Sequence, residues 1–519
     1  MKRVQVLVVG SGFAGSLMAM IAQRLGFSVA LVERGRHPRF AIGESSTPLA
    51  NLLLEEIASD YDLPTVRPLC KWGTWQEQTP RLACGLKRGF TFYQHELGSP
   101  FESDPNRRRQ LLVGASPREE IADTHWYRAD FDQYLVEQAQ ASGVEYWDEV
   151  ELTGAVPEAS GMRLAGKRNG HPLDVTAELV IDATGPRGFL HRTLKLPEKA
   201  LPGMLQTQGL FSHFRDTAPL PDCFSADGLA PPYPAEDAAV HHVFDGGWIW
   251  VLKFNNGVTS AGVAATDQIA NDLDFKSGEP AWRRLLARLP SLTESFGMAR
   301  NVLPFVHQPR IAFQSGQITG PGWVLLPSAA GVIDPLLSTG FPLTLLGIAR
   351  MGRLLKQHWG QPSFRAAMDD YARLTTLELE TTAQLVGALY ASMARFEPFK
   401  ALCLLYFVAA SFSETARRLG KPHLAEGFLL CEHPAFSGLL RQSCDLARQP
   451  LAPAGERELI GRIYEGIQPF DVAGLTDRSR DPWYPARPED VAANAWKLGA
   501  SPDEVTAMFR KCGMLIRVE

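Results

Sequence analysis

Residues 6–15 read Val6-Leu7-Val8-Val9-Gly10-Ser11-Gly12-Phe13-Ala14-Gly15, an apolar run that breaks into a Gly-x-Gly-x-x-Gly turn. Residues 16–26 carry helix formers and close on Gly26, and a second apolar run, Val29-Ala30-Leu31-Val32, ends at Glu33 and Arg34. Strand, glycine turn, helix, strand and acid in that order form one βαβ unit whose helix N-terminus suits a dinucleotide pyrophosphate. Gly10 permits the tight turn, Gly12 lets the backbone approach the phosphates, and Gly15 lets the helix pack on the sheet. Phe13 and Ala14 lie within the same cradle. Glu33 stands where it can accept hydrogen bonds from the adenosine ribose hydroxyls. A glycine fingerprint alone is weak, but here its strand, helix and acid are all present.

A chain of 519 residues is too long for a single core, so two or three domains are expected. Its hydrophobic share of 45% and charged share of 21% are those of a globular protein. A net charge of -5 with no basic block excludes a nucleic-acid footprint. Seven cysteines without a CxxC pair point to a reducing, cytoplasmic setting, with neither a disulfide framework nor a zinc site. Lys2-Arg3 ahead of an apolar run imitates a signal peptide, but the run is short and ends in the glycine turn, so it is the first strand. The most apolar later stretch, Ala401 to Ser413, falls short of the ~20 residues that span a bilayer and reads as a buried helix. No transmembrane segment is expected.

The remaining patterns set the organisation. Residues 49–59 read as a helix, 87–94 as a strand, 101–122 as a polar loop around Arg107-Arg108-Arg109, and 130–142 as a helix capped by Asp130. Leu179 to Gly185 is a strand ending in a glycine turn, and 204–270 alternates like an antiparallel sheet. Trp323 to Leu326 is a buried strand, followed by a long helix from Pro342 to Gln357. Strand signals nearly vanish after about 365: residues 365–418 and 455–465 are helical in pattern, and two short helices are expected in 485–519. The fold class is therefore α/β, a doubly wound GxGxxG fold with an inserted antiparallel-sheet domain and a C-terminal all-helical domain. The first is assigned residues 1–85, 125–203 and 300–364, the second 86–124 and 204–299, and the third 365–519. Such an interrupted fold suits FAD, which lies extended, better than NAD.

Further motifs line up with one family. Gly43-Glu44-Ser45, Lys87-x-Gly89-x-x-Phe92, Arg128, Asp182-Ala183-Thr184-Gly185, Trp248-Ile249-Trp250 and Asp334-Pro335-x-x-Ser338-Thr339-Gly340 occur in that order. Through these the chain, from residue 4 to about 350, resembles the flavin-dependent halogenases and their relatives among the FAD monooxygenases. The resemblance implies FAD as cofactor, with Arg34, Glu44, Ser45, Arg128, Ala183, Thr184, Gly185, Asp334 and Gly340 joining the fingerprint around it. Lys87 is similar to the family lysine that receives hypohalous acid formed at the flavin. Lys71, in Lys71-Trp72-Gly73, is a weaker rival because no strand pattern follows it. Ser338, Thr339 and Gly340 open a helix whose free N–H groups favour an anion, and the family's matching Thr-Gly pair is similar to a halide site. Trp248 and Trp250, two apart on a strand, share one face. They match the family's W-x-W-x-I-P strand between flavin and substrate, but Leu252 and Lys253 replace its last two residues.

Two departures narrow the expectation. Leu337 stands where tryptophan-halogenating members carry a glutamate, so free tryptophan is not the expected substrate. Pro327-Ser328 replaces the Gly-Asp of many FAD enzymes, which leaves the flavin ribityl contact to Ser328 or the backbone. His241-His242 has no accompanying ligand set, so no metal is expected. The leading reading is a halogenase using reduced FAD, oxygen and a halide ion on an electron-rich phenol- or pyrrole-like ring, free or carried on a protein. With no second glycine fingerprint for NAD(P)H, a separate flavin reductase is expected. The alternatives are an FAD monooxygenase of the same architecture and a flavin-bearing maturation or escort protein.

Overall fold

A computed structural model describes residues 2–225 and 230–514. The chain opens with β1 (Lys2–Val9), α1 (Phe13–Arg24) and β2 (Val29–Val32), all apolar enough to be almost wholly buried. It continues through α2 (Pro48–Asp60) and α3 (Trp72–Gln78) to β3 (Cys84–Lys87), β4 (Gly89–Gln94), β5 (Gln110–Gly114) and β6 (Asp123–Trp126). After α4 (Arg128–Ala141) come β7 (Glu145–Trp147), β8 (Val150–Glu158), β9 (Gly161–Arg168) and β10 (His171–Asp182). The strands β11 (Thr207–Arg215), β12 (Ala239–Phe244), β13 (Gly247–Lys253) and β14 (Thr259–Thr266) follow. Long helices then dominate: α5 (Gly340–His358), α6 (Phe364–Ser392), α7 (Phe396–Arg418), α8 (Pro434–Ala447) and α9 (Pro453–Ile467).

Two large sheets organise these elements. In an eight-stranded sheet, Trp323–Leu325, β10, β1, β2 and β7 lie side by side and parallel, with β9 and β8 hairpinned onto β10. The nine-stranded sheet carries β11, β14, β13, β12, β4 and β5 in that order. The helix α7 is long and apolar enough to cross a membrane, yet 83% of its apolar window is buried in the chain, where Phe407 packs on Phe90 and Phe399 on Phe92.

The structure corrects several expectations. The second sheet is mixed, not antiparallel, because β4 pairs parallel with β12. Residues 87–94 are not one strand. Lys87 ends β3, which forms a two-stranded ribbon with β6, whereas β4 belongs to the nine-stranded sheet. Arg88 makes the crossing, its N–H bonded to Asp237 O at 2.5 Å and its guanidinium to Pro117 O at 2.8 Å. At Gly89 a Cβ would collide with Val113 O, so only glycine fits after the corner. The 101–122 stretch is no mere loop: β5 is buried and paired to β4, hidden in the sequence by the flanking arginines. Asp130 does not cap its helix, which starts at Arg128 after Tyr127; its carboxylate accepts from Ala83 N instead. The late helix begins at Gly340, two residues before Pro342. In the C-terminal part, α8 had no sequence expectation, and the strand Trp483–Tyr484, which pairs with β5, means that this part is not all-helical. Short helices Pro488–Asn494 and Pro502–Cys512 lie in 485–519, whose last five residues are outside the described ones.

Candidate active site

The C-terminal ends of β1, β2 and β10 open on a cleft of about 890 Å³. Gly10, Gly12, Phe13 and Ala14 line one wall. Gly10 has φ +97, and a Cβ there would meet Ala183 O at 2.8 Å, so the turn can be this tight only with glycine. Gly15 is not on the wall; it faces Gly10 O and allows α1 to sit against β1. Gly12 caps α1 with no side-chain acceptor, leaving the first N–H groups of the helix turned to the cleft. Glu33 and Arg34 line the cleft at the end of β2. Glu33 Oε2 accepts from Ser11 N and Oγ, both at 3.1 Å, and from Arg39 at 3.3 Å, while Oε1 accepts from Gly35 N at 3.0 Å. Burial pushes its pKa up, but Arg39 and these N–H groups outweigh burial and hold it below the ordinary value.

Ala183, Thr184 and Gly185 continue the wall after β10, with the Thr184 amide and hydroxyl fixed on buried Asp182. Arg128 and Glu44 line the cleft, the guanidinium with its donors largely taken up by the chain, the carboxylate with its buried Oε2 unpartnered among the described residues. Arg128 forks onto Asp132 at 2.8 Å twice and reaches the carbonyls of Ile42 and Gly43. Glu44 Oε1 meets His213 Nε2 at 2.8 Å, both side chains buried. These bonds hold the 43–46 loop, which Ser46 also ties to Thr124 O.

On the opposite wall are Ser328, Asp334, Ser338, Thr339 and Gly340, together with Trp248 and Trp250 from β13. The helix α5 starts there without a side-chain cap. Just before it, Leu337 and Ser338 both adopt left-handed backbone, φ 64 and 55, a conformation costing about 1–2 kcal/mol for each such residue. Asp334 is buried and its carboxylate accepts from Trp248 Nε1 at 3.2 Å, Leu336 N at 3.0 Å, Tyr390 OH at 2.9 Å and Thr207 Oγ1 at 3.4 Å. Burial pushes its pKa up to about 6 in spite of those donors. Trp248 also stacks on His241, which lines the same cleft.

A second cavity, about 120 Å³, lies beyond the 43–47 loop, walled by Thr47, Phe90 and the α7 residues Tyr406, Phe407 and Ala410. Lys87 lines neither space; it is 0% exposed and sits between them. Its Nζ donates to Ser45 Oγ at 2.9 Å and Ser46 O at 2.5 Å and stands 3.7 Å from the centre of the Phe90 ring. Ser45 borders the large cleft and Phe90 the small cavity, so one amine touches a wall of each. Burial pushes its pKa down, with the Asp123 carboxylate pulling the other way. Lys71 immediately precedes α3, half-buried, its amine 4.0 Å from Glu55 on α2. His213, Asp123, Asn51 and Tyr390 escaped the sequence reading; each meets its partner through the fold and carries no local motif.

The sequence profile of the tryptophan halogenase family matches residues 121–403, more than half of the chain. The chain belongs to the tryptophan halogenase family. Among relatives of this halogenase family, the monodechloroaminopyrrolnitrin halogenase PrnC of Pseudomonas fluorescens is 28% identical over 410 residues, 78% of this chain and 70% of that enzyme. The tetracycline 7-halogenase of Kitasatospora aureofaciens is 29% identical over 349 residues, 65% of this chain and 61% of that enzyme. In fold, the chain resembles halogenase PltM, crystallised with phloroglucinol and FAD, at TM-score 0.79 and 24% identity, over 93% of this chain and 99% of that one. As a member of this halogenase family the chain is an FAD-dependent oxidoreductase. The cleft fits such a dinucleotide: glycine backbone at its narrowest turn, an uncapped helix start at each wall, and Gly185 and Gly340 with nothing within 4 Å of where a Cβ would be.

Proposed function

We propose that the chain halogenates an electron-rich aromatic ring, phenol- or pyrrole-like, held in the 120 Å³ cavity while FAD occupies the large cleft. The observation that carries this reading is the buried Lys87 amine, in contact with a wall of each space. Reduced FAD, when bound, supplies the activation of oxygen. Gly10, Gly12 and the start of α1 receive the pyrophosphate, Glu33 the ribose, and the uncapped start of α5 at Ser338, Thr339 and Gly340 the halide. Trp248 and Trp250 keep the substrate off the flavin side. Lys87 takes up the oxidised halogen and presents it to the ring. A free amine is suited to this because it bonds to the electrophile while its buried stem excludes water. Apolar walls and the names of PrnC and the tetracycline 7-halogenase support an aromatic substrate. Leu337, fully buried where tryptophan-halogenating members carry glutamate, supports one other than free tryptophan. We read the chain as three units with the boundaries given above, the first a doubly wound dinucleotide fold, and assign reduction of FAD to a separate reductase. Seven free cysteines, six of them buried, support a reducing, cytoplasmic compartment.

The test is an aerobic assay with a flavin reductase, halide and a panel of phenols and pyrroles, read by mass. Wild-type chain should give halogenated product, and Lys87→Ala should give none while taking up FAD as wild type does. Product carrying oxygen and no halogen would replace this reading with a monooxygenase.

A further inference from the structure

Lys87 has a charged neighbour that no binding motif announces. It ends β3, and its register partner on β6 is Asp123. The two side chains therefore leave the same face of the ribbon, with Cβ atoms about 5 Å apart. Both are buried, Lys87 at 0% and Asp123 at 6% exposure. Asp123 Oδ1 accepts from Asn51 Nδ2 on α2 at 3.0 Å. Its Oδ2 is enclosed and has no hydrogen-bond partner among the described residues. Buried acceptors are normally satisfied, and an unpaired buried charge is costly, so this oxygen is suited to holding a proton.

The other titratable groups facing the pair do not compete for that role. His125, on the same face of β6, and His241 on β12 are held neutral by burial and by the Lys87 charge. From α7, Glu414 and Arg418 act on Asp123 with opposite signs and pair with each other at 2.8 Å. Tyr406, also on α7, is kept protonated by burial and by the Asp123 charge. Burial raises the proton affinity of Asp123 and lowers that of Lys87, which brings the two together.

We propose that Asp123 is the charge partner of Lys87: clamped by Asn51 and adjacent across the ribbon, though in no direct hydrogen bond with the amine, its buried carboxylate governs whether the lysine carries a proton. Asp123 acts through Lys87 and is a positioning residue. The inference rests on the reading of Lys87 given above.

The experiment compares the pH dependence of halogenated product for FAD-loaded wild type and Asp123→Asn. The carboxylate charge holds the Lys87 pKa up against burial, so its removal should move the lysine-dependent limb to lower pH by about one unit or more. Asp123→Glu, which keeps the charge, should bring the limb back. Asn51→Ala leaves both charged groups in place and frees only the clamp that favours the ionised carboxylate, so it should move the limb the same way by less. A readout without turnover is the infrared carboxyl stretch of the FAD-free protein. Subtracting the Asp123→Asn spectrum from that of wild type should leave a carboxyl titrating around neutrality, separate from that of Asp334, which both proteins keep, and Lys87→Met should displace it. An Asp123→Asn limb identical to wild type, or a wild-type spectrum without that titration, overturns the proposal. A Lys87→Ala enzyme that still halogenates would overturn the reading of Lys87 itself. If Lys87→Ala is inactive while Asp123→Asn keeps the wild-type limb, the proposal about Asp123 alone fails.

Discussion

Glu33 shows how much a single carboxylate organises before any ligand arrives. Its two oxygens already accept from Ser11, Gly35 and Arg39, which fixes the glycine turn relative to β2. Oε1, with one partner, keeps capacity for a ribose hydroxyl. Glu33→Gln should therefore weaken FAD by about 1.5–3 kcal/mol, the range for hydrogen bonds to a charged group. Ser11→Ala, which disturbs the turn but keeps the acid, should cost less; both are read by titrating flavin fluorescence. Equal losses in the two variants would mean that Glu33 acts only on the turn. Residues of this kind were legible because glycine and acid at fixed spacing report on backbone chemistry nearby. Asp123 was not: its clamp Asn51 lies 72 positions away, and the Glu44 partner His213 lies 169 away. Neither pair leaves a pattern in the local sequence.

Elements were legible where one strand or helix sets its own period, and illegible where a neighbour decides. The βαβ start and the long helices belong to the first kind. The corner at Arg88 belongs to the second, since Lys87 and Gly89 are drawn into different sheets by β6 and β5. The helix α6 offers a test of how elements share a buried charge. Its Tyr390 donates to Asp334 Oδ2 at 2.9 Å, and Asp334 is already pushed up to about 6 by burial. Tyr390→Phe removes a donor that favours the ionised form, so the folded pKa should rise further. An acid raised above its unfolded value binds more protons when folded, and stability falls as pH climbs from the unfolded to the folded pKa. The variant should extend that fall upward. Urea denaturation near pH ~5 should find it close to wild type, whereas near pH ~8 it should be less stable by about 1.5–3 kcal/mol. A loss that is the same at both pH values would place the effect in packing rather than in the Asp334 charge.

At the scale of the whole molecule, the two spaces that Lys87 separates draw on different stretches of chain. The large cleft is built almost wholly from residues before 345, with Leu379 the exception. The small cavity takes Thr47, Pro48, Phe90, 113–115 and Pro117 from the first part and the rest of its wall from 406–514. Ala410→Trp, on the rim of the small cavity, should cut halogenated product roughly tenfold or more, about 1.4 kcal/mol of substrate binding, with FAD affinity unchanged. A matching loss of FAD would show that the two spaces are not independent. Because the two spaces are walled by largely separate stretches of chain, substitutions after residue 405 can reshape the smaller one and leave the larger as it is. The molecule is modular in that sense: the compound received can be exchanged without redesigning the chemistry that supplies the oxidant.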